Sequence, residues 1–190
     1  MRRSPGSRPN LLHQTLEVLY RFALARQGYK VARGIDMVNV KIKAYRTINM
    51  TGKRETHART LVNGRDLVSV IDEPEALGGT NQGINPTETV LGALMGCTTV
   101  IASRLFEREG LRWEDADYFI EAVFDRRGAA LMEEVQVPFP TIKLTITGKS
   151  DATPEQVEKI AEDLGKYCPI AKMLRESGTV IEEDWRLDPL

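Results

Sequence analysis

The segment 85–110 constrains the fold of this 190-residue chain more than any other. Asn85 is a preferred N-cap residue, Pro86 suits a first helical turn, and Glu88 stands where a capping box requires a carboxylate. Gly110 is a plausible helix stop. Between them, apolar residues recur at spacings of four, three, four and four: Val90, Leu94, Cys97, Ile101 and Leu105. The sequence therefore predicts a long helix whose buried stripe includes a cysteine.

The second and last cysteine, Cys168, directly precedes a proline in the sequence LGKYCPIAKML. Thr153, Pro154 and Gln156 predict the start of another helix, again with a capping box. One face of that helix carries Val157, Ile160, Leu164 and Cys168. Pro169 disfavours helical angles at the residue before it and can open a new helix. We therefore expect Cys168 at a joint between two helices, as an N-cap where the helix dipole favours a thiolate.

The same positions also suit two inert cysteines, because free cysteine is commonly buried and packs as a small apolar side chain. Each thiol is expected on the core side of its own helix, so the two sulfurs could meet. Both interpretations remain open at this point.

The rest of the pattern predicts strands. Side chains alternate between apolar and polar over 38–50, which indicates a half-buried strand. Asn63-Gly64, between two β-prone runs, predicts a tight hairpin turn, and 72–86 is a loop rich in Gly, Pro and Asn. Further strands are expected at 117–125, 141–147 and 179–187. Together these elements predict one α+β domain over 35–190.

The N-terminal segment, 1–34, differs in composition. It carries a single acid, Glu17, and seven basic residues: Arg2, Arg3, Arg8, Arg21, Arg26, Lys30 and Arg33. Apolar residues recur in it at the spacing of a helix face: Leu12, Leu16, Leu19 and Ala23. We interpret it as a basic arm with an extra helix; an organelle transit peptide is the alternative.

Composition excludes several classes of function. A net charge of −1 argues against a nucleic-acid partner. The longest weakly polar run, 90–102, has 13 residues, whereas a membrane span needs about 20, so no membrane segment is expected. Two cysteines without a third, or a paired histidine, do not predict a metal site, and no cofactor is expected. With only His13 and His57 in the chain, a Cys–His hydrolase is a poor fit.

Two stretches together resemble one family. DEPEALGGTNQGINPTETVLGALMGC, followed later by KYCPIAKML, resembles the OsmC/Ohr family, the osmotically induced and organic hydroperoxide resistance proteins. The resemblance implies an OsmC-like fold in which antiparallel sheets wrap around two central helices in an intertwined homodimer. It also implies a cytoplasmic enzyme of the oxidative stress response that reduces small organic hydroperoxides and is regenerated by a dithiol reductant.

By the same resemblance, Cys97 is the thiol that attacks the peroxide and Cys168 the thiol that resolves it. The segment GKRE, 52–55, resembles the family's arginine-containing segment and indicates Arg54 as the cation beside the thiolate, with Arg59 and Arg46 as rivals. Family members place a glutamate directly after Asn-Pro, but here Thr87 holds that place and Glu88 follows it. Glu88 is the candidate replacement.

A different class of function fits the same resemblance. A dimer of this fold could bind a small apolar ligand, or sense oxidants through its thiols, without turnover, since a fold does not fix a function. Steady consumption of peroxide with a dithiol would distinguish the enzyme from the sensor.

Overall fold

The first sheet is a three-stranded antiparallel meander. The computed structural model describes residues 44–190. Strands β1 (Met50–Arg54), β2 (Thr60–Gly64) and β3 (Leu67–Ile71) lie side by side in chain order. They are short, and side chains of β1 are exposed.

The predicted strand at 38–50 is wrong over 44–49, which has no regular structure. Met50 pairs with Gly64, where β2 ends, so the residues before Met50 have no partner on β2. The remainder of that prediction, 38–43, and the predicted arm and helix at 1–34 lie outside the described residues.

The predicted hairpin exists, but its turn lies two residues later than expected. Gly64 pairs with Leu67, so the turn residues are Arg65 and Asp66 rather than Asn63-Gly64. Arg65 itself takes the left-handed conformation, with φ of 59°. The Asn-Gly pair is instead part of β2.

A loop leads from β3 to the long helix, as the sequence predicts. It contains a 3₁₀ turn at Glu75–Leu77. Helix α1 (Pro86–Arg108) then begins with the expected capping box, in which Asn85 and Glu88 bond each other's backbone N–H groups. Gly110, with φ of 70°, follows its end.

The second sheet is mixed rather than antiparallel throughout. Strand β4 (Trp113–Val123) is followed by the short helix α2 (Arg126–Ala129) and by β5 (Thr141–Ser150). Helices α3 (Pro154–Tyr167) and α4 (Pro169–Glu176) then lead to β6 (Val180–Pro189). β4 pairs antiparallel with β5, whereas β5 pairs parallel with β6. The expectation of antiparallel sheets fails here because α3 and α4 form a crossover connection, which returns the chain in the same direction.

Helices α1, α3 and α4 share one hydrophobic core with the second sheet. From β5 come Ile142, Leu144 and Ile146, all buried, and from α3 come Ile160 and Leu164. The buried residues of α1 are Leu94, Thr98, Ala102, Leu105 and Phe106. The buried stripe is therefore rotated slightly from the predicted one: Val90 is exposed and Cys97 lies at the margin, half-buried.

Helix α1 alone among the described helices is long and apolar enough to cross a membrane, with a mean hydropathy of 1.5 over 18 residues. The helix resembles a membrane span in length and composition only. The helix contacts α3, α4 and β4 and supplies five buried side chains to the core. It is the core helix of this domain.

Candidate active site

Helix α1 places the first thiol. The Asn85 side chain accepts a hydrogen bond from the Glu88 N–H at 2.8 Å, and Glu88 Oε2 accepts one from the Asn85 N–H at 2.8 Å. These bonds satisfy N–H groups that a helix otherwise leaves without partners. They fix where the helix starts, and Cys97 follows about three turns later, half-buried.

The joint between α3 and α4 places the second thiol. Cys168 has extended backbone angles, φ −75° and ψ 110°, while its own N–H still bonds to Leu164 O at 2.8 Å. Pro169 then opens α4. The Cys168 sulfur accepts a hydrogen bond from the Ala171 N–H at 3.4 Å, which makes it the N-cap of α4 as predicted. Cys168 is fully buried.

The two thiols lie close together. Both cysteines are free, and half-buried Cys97 packs against the core cluster that contains Cys168. Burial is the main cause that raises the pKa of Cys168 to about 11; the neighbouring Cys97 also raises it, and the Ala171 N–H opposes both effects. Cys168 is therefore a protonated thiol at neutral pH, because burial outweighs the helix N-terminus.

The surroundings of the pair are apolar. Leu94, Leu164 and Ala171 belong to the same buried cluster as Cys168, and partly buried Ile101, Ile170 and Leu174 pack against that cluster, as Cys97 does. The described residues contain no group of three or more His, Cys, Asp and Glu side chains arranged to bind a metal ion.

The structure does not bring the candidate arginines to the thiols. Arg54 ends β1 on an exposed surface, and its Nε donates to Thr56 O at 3.0 Å. Arg59 forms an ion pair with Glu55 at 3.0 Å. Arg46 is exposed in the stretch without regular structure. Among the described residues, no hydrogen bond joins any of these guanidinium groups to Cys97 or Cys168.

Glu88 has a structural role. It is exposed, and its Oε2 is occupied by the capping box of α1. The fold therefore brings the two candidate cysteines together in the core. It leaves the other two candidate residues, Arg54 and Glu88, exposed on the surface of the chain.

Asp72 is a buried polar residue of the loop before α1 that sequence reasoning missed. It is completely buried at the end of β3, and its Oδ2 accepts hydrogen bonds from Thr80 N, Thr80 Oγ1 and Gln82 N at 3.0, 2.6 and 3.2 Å. Its backbone N–H bonds to Ile84 O at 3.3 Å. The hydrogen bond from the Thr80 hydroxyl is the main cause that lowers the pKa of Asp72. Asp72 thus holds the loop against the end of β3, directly before α1. The sequence signal for this role was an acidic residue at the start of a Gly-rich loop.

The two-sheet α+β domain with a cysteine on α1 and another at the α3–α4 joint is the arrangement expected of an OsmC-like protein, and the comparisons with known proteins agree on the family and the fold. The sequence model of the OsmC-like protein family matches residues 79–184. That match covers more than half of the chain and includes both cysteines. The chain belongs to the OsmC-like protein family.

Known relatives are distant. YmaD of Bacillus subtilis strain 168, a protein of uncharacterized function, is 25% identical over 134 residues, which are 69% of this chain and 85% of YmaD. Among solved structures, an OsmC-like protein from Mycoplasma pneumoniae aligns with a TM-score of 0.63 at 13% identity, covering 75% of this chain and 97% of its own. An organic hydroperoxide resistance protein from Elizabethkingia anophelis aligns with a TM-score of 0.55 at 15% identity, covering 78% of this chain and 100% of its own. These alignments confirm the predicted OsmC-like fold.

Proposed function

We propose that this protein is a thiol-dependent peroxidase that reduces organic hydroperoxides through Cys97 and Cys168. The observation that carries the proposal is the pair of neighbouring free thiols, one on α1 and one at the α3–α4 joint, in the core of an OsmC-like domain. A family that includes a protein named for organic hydroperoxide resistance supports the choice of substrate.

The proposed reaction cycle reduces the peroxide with the two cysteine thiols and then regenerates those thiols with a dithiol. The Cys97 thiolate attacks the peroxide, so that a sulfur–oxygen bond forms, the O–O bond breaks, and the alkoxide takes a proton and leaves as alcohol. Cys97 is then a sulfenic acid. The Cys168 sulfur attacks that sulfur; the disulfide forms, the sulfur–oxygen bond breaks, and the proton lost by the Cys168 thiol joins the leaving hydroxide as water. A dithiol reductant restores both thiols by exchange and is itself oxidised to a disulfide.

Cys97 is the proposed attacking thiol because of its exposure. It is half-buried, whereas Cys168 is fully buried and protonated at neutral pH. A peroxide can therefore approach Cys97 more easily, and the buried Cys168 is suited to act second, on a sulfenic acid already beside it.

Arg54 is our proposed cation for the Cys97 thiolate, and Glu88 the proposed carboxylate that orients it. The Arg54 Nε donates a hydrogen bond to Thr56 O, and Glu88 Oε2 accepts one in the capping box. The Nη groups of Arg54 and Oε1 of Glu88 are therefore the atoms proposed for this role. Arg54→Ala is expected to slow Cys97 oxidation without preventing the disulfide. Arg46→Ala is the matched control; if it slows oxidation while Arg54→Ala does not, the assignment passes to Arg46.

The apolar surroundings favour organic hydroperoxides over hydrogen peroxide. Ile101, Ile170 and Leu174 pack against the same core cluster as Cys97, and each buried CH₂ group of a substrate contributes about 0.8 kcal/mol. We therefore expect a larger second-order rate constant for cumene hydroperoxide than for hydrogen peroxide. Equal constants would contradict this.

We further propose that the protein acts as a cytoplasmic homodimer. Apolar side chains stay exposed on the single chain in helix α1 and in both sheets, and a second copy would cover them; examples are Val100, Met50, Val68 and Phe119.

Steady-state turnover tests the function. The full chain is supplied with cumene hydroperoxide and dihydrolipoamide as the dithiol, and peroxide loss is followed. The wild-type protein is expected to turn over repeatedly, Cys97→Ser not at all, and Cys168→Ser for one oxidation only, after which Cys97 persists as sulfenic acid or is oxidised further. Stoichiometric oxidation without turnover in the wild-type protein would instead support an oxidant sensor.

A further inference from the structure

One side chain touches both of the helices that meet at Cys168. Arg175 lies in the last turn of α4, about two turns after Cys168. Its guanidinium lies against Gly165 of α3: a methyl group placed on Gly165 would come within 3.1 Å of Arg175 Nη1 and 3.6 Å of its Cζ. The Arg175 side chain therefore spans the α3–α4 joint, from α4 back to the part of α3 that directly precedes Cys168.

The same guanidinium is anchored on β6. Arg175 Nη2 donates a hydrogen bond to Glu183 Oε1 at 2.8 Å, and the Glu183 side chain is only 9% exposed. Glu183 Oε2 in turn accepts a hydrogen bond from Trp185 Nε1 at 3.4 Å. The ring centroid of Trp185 lies 6.0 Å from that of Trp113, and both rings pack against the core. The sheet therefore holds the carboxylate that Arg175 binds, independently of either helix.

The burial of this ion pair distinguishes it from the surface ion pairs of the chain. Arg175 Nη1 is buried and has no hydrogen-bond partner within residues 44–190. Because a buried donor without an acceptor is unfavourable, Nη1 stays against α3 only if Glu183 holds the guanidinium there. By contrast, Arg186 of the same strand pairs with Asp184 where the two side chains are 64% and 34% exposed, and such pairs contribute little.

We propose that Arg175 is a positioning residue for Cys168. By binding Glu183 and packing on Gly165, it fixes the angle between α3 and α4 and thereby the place of the Cys168 sulfur. Gly165 belongs to the same arrangement, because a larger residue there would displace the guanidinium. The consequence for catalysis rests on the proposed function: a fixed Cys168 meets the Cys97 sulfenic acid before a second peroxide does.

Two variants disturb this contact in different ways, and each has a matched control. Arg175→Met removes the guanidinium but keeps an unbranched side chain, and Arg186→Met makes the same change in the exposed ion pair of β6. Gly165→Ala keeps both charged groups and adds the methyl that meets Arg175. Gly92→Ala adds a methyl in α1, where Ile84 Cδ1 would be 3.9 Å away. Since alanine favours a helix over glycine, Gly165→Ala keeps the test decisive if Arg175→Met folds poorly.

The first readout is the rate at which N-ethylmaleimide labels Cys168 in the reduced full-length protein, measured by peptide mass spectrometry. Cys168 is fully buried, so labelling requires either opening of the joint or global unfolding. Only global unfolding depends steeply on urea, because it exposes far more surface. A variant that merely loses stability is therefore labelled faster only through the urea-dependent route.

Arg175→Met and Gly165→Ala are expected to label Cys168 about three- to tenfold faster than their controls in the absence of urea, with a shallow urea dependence. Loss of a hydrogen bond shifts an opening equilibrium by about this factor. Labelling no faster than in the controls, or faster only with the steep urea dependence of global unfolding, would overturn the proposal.

The second readout is the fate of Cys97 under excess cumene hydroperoxide. The two joint variants should convert a larger share of Cys97 to sulfinic acid than their controls do, at an unchanged initial rate of Cys97 oxidation. An unchanged share would overturn the role of Arg175 in the resolving step. Labelling needs no peroxide, so faster Cys168 labelling in both variants, together with a wild-type protein that does not turn over, would disprove the peroxidase function and leave the positioning of Cys168 by Arg175 standing.

Discussion

At Cys168, two effects act on one sulfur in opposite directions. The N-terminus of α4 favours a thiolate, and burial together with the Cys97 contact favours the thiol; the pKa of about 11 shows that burial dominates. The N-cap position can be predicted from Cys-Pro because capping is local. The complete burial of the sulfur depends on packing between α1, α3 and α4, which a single sequence does not specify.

A similar balance at Asp72 gives a prediction about pH. Hydrogen bonds from Thr80 and Gln82 lower the pKa of Asp72 below its ordinary value of 3.8. A lowered folded-state pKa means that the carboxylate stabilises the fold at pH values above 3.8 and that this stabilisation is lost as the pH falls below it. We expect Asp72→Asn to lower the melting temperature at pH 7, and the difference from wild type to shrink as the pH falls below 3.8.

The control is Glu75→Gln, a charge-neutralising change at an exposed residue in the same loop. It should leave the melting temperature nearly unchanged at both pH values. If Asp72→Asn lowered the melting temperature equally at both pH values, the stability of the fold would not depend on the negative charge of Asp72.

At the scale of the elements, signals that act within a few residues predicted the structure well. Both capping boxes, the Pro-initiated helices and the stop at Gly110 occur where the sequence indicates them. The hairpin turn shifted from Asn63-Gly64 to Arg65-Asp66, since turn position also depends on how β2 and β3 pair. The parallel pairing of β5 with β6 is a long-range property, although the two intervening helices were a usable signal for it.

The capping box of α1 provides a test at this scale. Asn85→Ala is expected to lower the free energy of unfolding by about 1 kcal/mol, because the Glu88 N–H loses its acceptor. Asn85→Ser is the matched control, because it keeps a side-chain oxygen acceptor, and it should cost only a few tenths of a kcal/mol. Urea denaturation measures both; an equal loss in the two variants would show that the side-chain bond contributes little.

For the whole molecule, several large apolar side chains within residues 44–190 are exposed. Val90 and Val100 on α1 are exposed, as are Val68 of the first sheet and Phe119 and Val123 of the second. Large contiguous apolar surfaces on soluble proteins commonly mark interfaces. The resemblance to an intertwined dimer, seen in the sequence, is consistent with this.

We therefore expect sedimentation equilibrium to give twice the chain mass of 21.3 kDa at micromolar concentration. Phe119→Glu, in the exposed part of β4, should weaken the dimer if that face is covered, whereas the exposed loop variant Glu75→Gln should not. A chain that remains monomeric at all concentrations would contradict the dimer.

Oxidation by peroxide should join Cys97 and Cys168 if they are the proposed redox pair. One equivalent of cumene hydroperoxide is added to the fully reduced full-length protein, which is then blocked, digested and mapped by mass spectrometry without reduction. We expect a disulfide between Cys97 and Cys168 of one chain, since both cysteines are free and Cys97 packs against the core cluster that contains Cys168. Two free thiols after peroxide, or Cys97 oxidised to sulfinic acid beside an unmodified Cys168, would contradict it.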